Sequence, residues 1–104
     1  MTKITVHSRV CDHTHVISGE RKGKMIHIDI DSSCENVQRL AHIEVPFHEI
    51  LHVKDNFVLE RAQEAHCSGN CLVPCGILNV CWIEAGMLSS TLCKKAGSVE
   101  IEFH

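Results

Sequence analysis

No run of apolar residues in this chain approaches the roughly 20 needed to span a membrane. The first residues, Met1-Thr2-Lys3-Ile4-Thr5-Val6-His7, alternate and carry no apolar block. No secretory leader or membrane attachment is expected, and the cytoplasm is the expected compartment. Basic charge is scarce as well: ten Lys and Arg against 13 Asp and Glu leave a formal net charge of −3. Such a balance offers no basic face to nucleic acid or an anionic membrane, so no nucleic-acid partner is expected. Several motifs are missing. There is no glycine-rich phosphate loop, no Gly-x-Ser-x-Gly, no His-Glu-x-x-His and no Cys-x-x-Cys, which leaves the corresponding chemistries, thioredoxin-type exchange included, without a basis. The Asp29-x-Asp31 pair lacks the glycine and glutamate of a calcium loop and reads as a solvated strand end. Internal repeats, low-complexity linkers and a second domain are absent too. At 104 residues, 44% hydrophobic and 22% charged, the chain is expected to form one ordinary globular domain, residues 1–104.

What the chain does have is sulfur. Seven cysteines and nine histidines stand among its residues. A cytoplasmic compartment keeps thiols reduced, and an odd count suits a disulfide framework poorly. Four ligand cysteines and three structural ones make the simplest partition. The histidines are scattered, several alternating with apolar residues, and read mostly as solvated or hydrogen-bonded spectators.

The hydrophobic periodicity predicts an α+β fold: an antiparallel sheet with helices packed on one face. Ile4 to Val10 alternates as a half-buried strand, with Ile4, Val6, Ser8 and Val10 on one side. A second strand runs from His13 to Ser18. Residues Gly19 to Gly23 form a polar hairpin loop, and Met25 to Asp31 follows with Ile26, Ile28 and Ile30 inward. Ser32 and Glu35 have the capping-box spacing for a helix that fades near His42. Pro46 would open a short helical turn through Leu51. Asp55 or Asn56 would cap a helix over Phe57 to His66. Pro74 starts a helix reaching about Leu88, apolar nearly all round and therefore central; Trp82 and Met87 belong to it as core residues. Val99, Ile101 and Phe103 alternate with polar residues, so a C-terminal strand is expected to join the three-strand meander.

The cysteines fall at the boundaries of these elements. His66-Cys67-Ser68-Gly69-Asn70-Cys71-Leu72-Val73-Pro74-Cys75 crowds three thiols and an imidazole into one helix-to-helix connection. Soft ligands that close together suit a thiophilic metal or an iron–sulfur cluster. Cys67 and Cys71 flank the Ser-Gly-Asn break, where both sulfurs could turn towards one ion, although their spacing is not that of a zinc ribbon or bacterial ferredoxin. Cys34 lies in a first helical turn, where unpaired N–H groups favour a negative sulfur. Cys11 sits in a strand-to-strand turn. Cys11, Cys34, Cys67 and Cys71 form the expected ligand set, converging at one end of the fold. His66 and Cys75 rank second: a histidine ending a helix usually meets its terminal carbonyls, and Cys75 can pack as a small apolar side chain. Cys81 is expected in the core and Cys93 at the surface.

Val10-Cys11, Asp31-Ser32-Ser33-Cys34-Glu35-Asn36-Val37, Ala65 through Pro74, Ile77-Leu78 and Glu84-Ala85-Gly86-Met87-Leu88 together resemble a family of small uncharacterised proteins of anaerobic bacteria and methanogenic archaea. The resemblance spans nearly the whole chain and implies recurring cysteines at the positions of Cys11, Cys34, Cys67 and Cys71. It implies a small residue where Cys75 stands, which counts against Cys75 as a ligand. No activity comes with it. An anaerobic setting would favour iron–sulfur over zinc.

The leading expectation is thus a small metal-binding protein whose four cysteines hold an iron–sulfur cluster, for electron transfer or cluster delivery, or a structural zinc. A redox or metalloprotein partner would go with the first. A thiol-dependent enzyme using Cys75 or Cys34 with a histidine base, His66 being nearest, is the alternative. A metal-free structural or adaptor domain is the third. Catalysis ranks behind binding, and nothing in the sequence signals an oligomeric state.

Overall fold

The computed structural model describes residues 1–104. Three strands follow one another, β1 (Thr2–Ser8), β2 (His13–Lys22) and β3 (Met25–Asp31). A short helix α1 (Glu35–Gln38) leads into β4 (His42–Pro46). Helices α2 (Phe57–Glu64), α3 (Val73–Glu84) and α4 (Ser90–Ala96) complete the chain. The strands form one antiparallel sheet in the order β1-β2-β3-β4. This is the expected α+β class with an antiparallel sheet. Along the strands the period of two sends Ile17, Ile26, Ile28, Ile43 and Val45 into a single core of 16 buried residues, with Val58, Ala62, Val73, Ile77 and Val80 meeting them from α2 and α3.

Several boundaries differ from expectation, each for a local reason. Helix α3 stops at Glu84, short of Leu88, so Met87 lies beyond it and stands exposed, outside the core. The fourth strand is β4, not Val99–Phe103. Alternation of Ile43 and Val45 with His42, Glu44 and Pro46 fits the free flank of β3, and Pro46 is tolerated because it ends an edge strand. Pro46 therefore closes a strand and does not open a helical turn. The tail leaves α4 at Gly97, whose φ of 82° stops the helix, and continues exposed and unpaired. The helix expected from Ser32 shrinks to four residues. Ser32 is not its cap: Cys34 holds the cap position, and Ser32 Oγ accepts from Cys34 N–H at 3.0 Å, so the capping box does not form. Finally, β2 runs on to Lys22, and only Gly23, with φ of 65°, and Lys24 make the hairpin turn.

Gly19, read from sequence as the start of that loop, is instead buried inside β2. A Cβ placed there would stand 2.4 Å from Val80 Cγ1 and 2.8 Å from Ile28 Cδ1. On α3, a Cβ at Gly76 would stand 2.6 Å from Val6 Cγ2 and 3.1 Å from Ile17 Cδ1. Two missing side chains, one from each partner, let α3 lie directly on β1 and β2. The helix ends as firmly as it is seated. Gly86 takes φ of 78°, its N–H donates to Ile83 O and that of Met87 to Trp82 O, the paired bonds of a Schellman motif.

Cys81 is fully buried, and burial pushes its thiol up to about 12, with Glu84 adding to the shift. It is a core residue. Two stability outcomes follow. Gly19→Ala should cost about 1–3 kcal/mol, because Val80 and Ile28 are held by their own packing and yield only with strain. Cys81→Ala should cost about 1 kcal/mol through a small cavity. Urea unfolding of both variants measures this. A neutral Gly19→Ala would mean that α3 is not seated where the contacts place it.

Candidate metal centre

The α3 axis fixes which end of the sheet receives the cysteines. Gly76 rests against Val6 and Ile17, Val80 against Gly19, and Glu84 reaches Thr2 Oγ1 and, at 2.9 Å, the Arg21 N–H. The helix therefore starts over the end where β1 leaves the sheet and β2 enters it. The α2–α3 connection, with Cys67 and Cys71, comes down at that end. So does Cys34, since its neighbours Ser32 and Ser33 bond His15 and His13 at the start of β2.

Cys67 owes its position to a helix ending. His66, with φ of 64°, takes the left-handed position after α2; its N–H donates to Gln63 O while Cys67 N–H donates to Ala62 O. These are again Schellman bonds, made without glycine, and they turn Cys67 back against the core. Cys71 follows through a tight turn in which its N–H donates to Ser68 O at 3.0 Å. Arg39 ties α1 to the same place. Its Nη1 donates to Ala65 O at 3.1 Å, which satisfies a terminal carbonyl and puts a cation at the negative end of α2.

Three of the four sequence-predicted ligands are thus brought together. Cys34, Cys67 and Cys71 are all half-buried and packed against the core. Burial pushes the Cys67 thiol up, Cys71 and Cys34 push it further, and Arg39 pulls weakly the other way. Cys11 lies in the exposed β1–β2 turn at the same end, where its N–H donates to Ser8 O, and it is not among the groups acting on Cys67. No set of three or more His, Cys, Asp or Glu side chains converges closely enough to chelate one ion.

The second-rank residues fare differently. His66 is exposed and serves as the backbone pivot. Cys75 is exposed in the first turn of α3, with Asn79 Nδ2 donating to its carbonyl at 2.8 Å. Cys93 is half-buried in α4.

Sequence reasoning passed over a polar group beside the thiols. His15 is 2% exposed, its Nδ1 lies 2.7 Å from Ser32 Oγ, and that oxygen also receives Cys34 N–H. His13 Nδ1 sits 2.9 Å from Ser33 Oγ. Ser8 Oγ, buried at the same end, has no partner. The available signal was alternation: His13 and His15 occupy inward positions with Ile17, so they are not outer-face spectators.

The chain belongs to a family of unknown function (DUF6951), which matches residues 2–96. Nothing among the curated proteins or the solved structures matches it. No helix is long and apolar enough to cross a membrane.

Burial, and secondarily the nearby His13, hold His15 below its ordinary value of 6.5. A lowered folded value means that the unfolded chain takes up the proton first, so stability is complete above pH 6.5 and is lost as pH falls below it. The slope from this one group is at most about 1.4 kcal/mol per pH unit. His15→Gln should flatten that limb in pH-dependent urea unfolding; an unchanged slope would show that His15 titrates normally.

Proposed function

We propose that this chain is a small cytoplasmic metal-binding protein in which Cys34, Cys67 and Cys71, with Cys11 as fourth ligand, hold an iron–sulfur cluster or a structural zinc. The gathering of three half-buried thiols from two separate connections carries the reading. Burial pushes the Cys67 thiol up, Cys71 and Cys34 push it further, and a thiophilic cation held by the three would offset that cost of ionisation. The donor set is soft and suits both metals.

The surroundings support closure around an ion. The Ser68–Asn70 loop between Cys67 and Cys71 is exposed, and a Cβ at Gly69 would meet nothing within 4 Å, so no packing opposes its rearrangement around an ion. Cys11 is exposed in a short turn and can swing from the same end. Binding energy would then fix the loops that carry the thiols. The anaerobic setting implied by the family resemblance favours iron–sulfur, and a redox or metalloprotein partner would exchange electrons or the cluster. A bound cluster would supply one-electron chemistry, whereas zinc would only staple the loops. Arg39 holds the Cys67 turn in place and puts positive charge next to an anionic centre.

Anaerobic reconstitution followed by metal analysis and visible spectroscopy tests this. Cys34→Ser, Cys67→Ser and Cys71→Ser should each lower affinity at least tenfold, and Cys11→Ser should weaken binding. Cys75→Ser and Cys81→Ala should retain full stoichiometry. Because the Cys67 thiol is pushed up, uptake at neutral pH should release protons and weaken as pH falls. Full binding by the Cys67→Ser, Cys71→Ser double variant would refute the assignment.

A further inference from the structure

Half of the large apolar side chains that stand exposed lie in one segment at the C-terminal end of the chain: Met87, Leu92, Val99, Ile101 and Phe103. Helix α4 buries no residue at all. Beyond it, Ser98-Val99-Glu100-Ile101-Glu102-Phe103 alternates as a half-buried strand would, yet Val99 is 88% exposed, Ile101 69% and Phe103 81%. The period of two belongs to a strand, and the monomer gives that strand no neighbour. At the same time the sheet keeps two open flanks, β1 and β4, each with unpaired backbone groups.

We propose that the Ser98–Phe103 arm of one copy pairs with the free edge of β1 in a second copy, and that the exchange is reciprocal, forming a twofold dimer. The two edges are not equivalent, and three features select β1. Its inward residues Ile4 and Val6 are only half-buried and form an apolar ledge beside the core. On β4 the corresponding Ile43 and Val45 are 6% and 0% exposed, so no ledge remains. The outward side chains also differ. β1 presents Lys3, Thr5 and His7 to an arm bearing Glu100 and Glu102, whereas β4 presents Glu44 and a His42 already paired with Asp29. Like charges directly opposite one another across strands are destabilising.

An antiparallel register satisfies both faces together. Val99 opposite Val6 and Ile101 opposite Ile4 close the apolar side, while Glu102 falls opposite Lys3 and Glu100 opposite Thr5 on the polar side. The chain's own fold leaves the arm exposed and without a strand partner while its own β1 edge stays free, so a second copy is the partner that can use both. A twofold axis supplies the antiparallel edge and closes the assembly, because each copy gives one strand and accepts one.

Sedimentation or light scattering of the full chain under reducing conditions, over a range of concentrations, decides the matter. The wild type should be a dimer that dissociates on dilution. Ile101→Asp should be monomeric with an unchanged far-ultraviolet circular dichroism spectrum, since Ile101 touches nothing in the monomer core. Lys3→Glu should weaken the dimer several-fold, and Lys3→Glu combined with Glu102→Lys should restore it. A wild type that stays monomeric at every concentration would overturn the proposal. So would a dimer indifferent to Ile101→Asp. Loss of the dimer in Ile101→Asp with no response to either charge variant would overturn the β1 register.

Discussion

The close approach of α3 to the sheet is the constraint on which the rest depends. Helices usually keep their distance from a sheet because side chains on both surfaces must interdigitate. Here Gly76 and Gly19 remove that spacing at two levels of the same contact, with Val6 and Ile17 filling the space at one and Val80 and Ile28 at the other. Fixing α3 at two points fixes its direction as well as its height. Its N-terminal end must then lie where β1 leaves and β2 enters, and the connection from α2 must arrive there. The thiol cluster is a consequence of this packing, because Cys67 and Cys71 sit on a connection whose landing point α3 determines.

Burial and its thiol neighbours hold the Cys67 thiol above its ordinary range. A buried thiol resists ionisation by itself, and neighbours of the same kind raise the resistance. Helix endings make the cluster possible. The left-handed His66 turns Cys67 inward at a position where glycine is the ordinary choice, and Arg39 supplies the one nearby cation. Positive φ at a non-glycine residue costs local energy that the surrounding bonds must offset, so the placement of Cys67 is held by structure on both sides.

Much of this was legible in the sequence. Ile26, Ile28 and Ile30 announced β3, and the Asp55-Asn56 pair announced the start of α2, where of the two it is the Asn56 side chain that accepts from Val58 and Leu59 N–H. Cys34, Cys67 and Cys71 were readable as boundary cysteines because they interrupt periodic segments. What could not be read depends on contacts between distant residues. Gly19 looks like a loop glycine in isolation, and only the proximity of Val80 makes it a strand glycine. Ser32 has the spacing of a cap, but His15 and Cys34 N–H compete for its hydroxyl, and the helix starts two residues later. The arm from Ser98 to Phe103 has strand periodicity without a strand, because periodicity records a preference for pairing and not the identity of the partner.

Glu84 shows how the far end of α3 supports the same design. A carboxylate near a helix C-terminus is unfavourable against the helix dipole, and burial would raise its proton affinity further. The Thr2 hydroxyl, the Arg21 amide and the chain's N-terminal amine outweigh both, and the group is held below the ordinary carboxylate range. The charge therefore works as a tether, joining α3 to β1 and β2 at the end opposite the cysteines. With Glu84 anchored there and the two glycines seated along the contact, α3 has no freedom to slide. At the cysteine end the thiols are carried by connections instead: the Ser68–Asn70 loop and the turn with Cys11. The metal site proposed for these thiols would use that division, with a fixed helix behind the connections that carry its ligands.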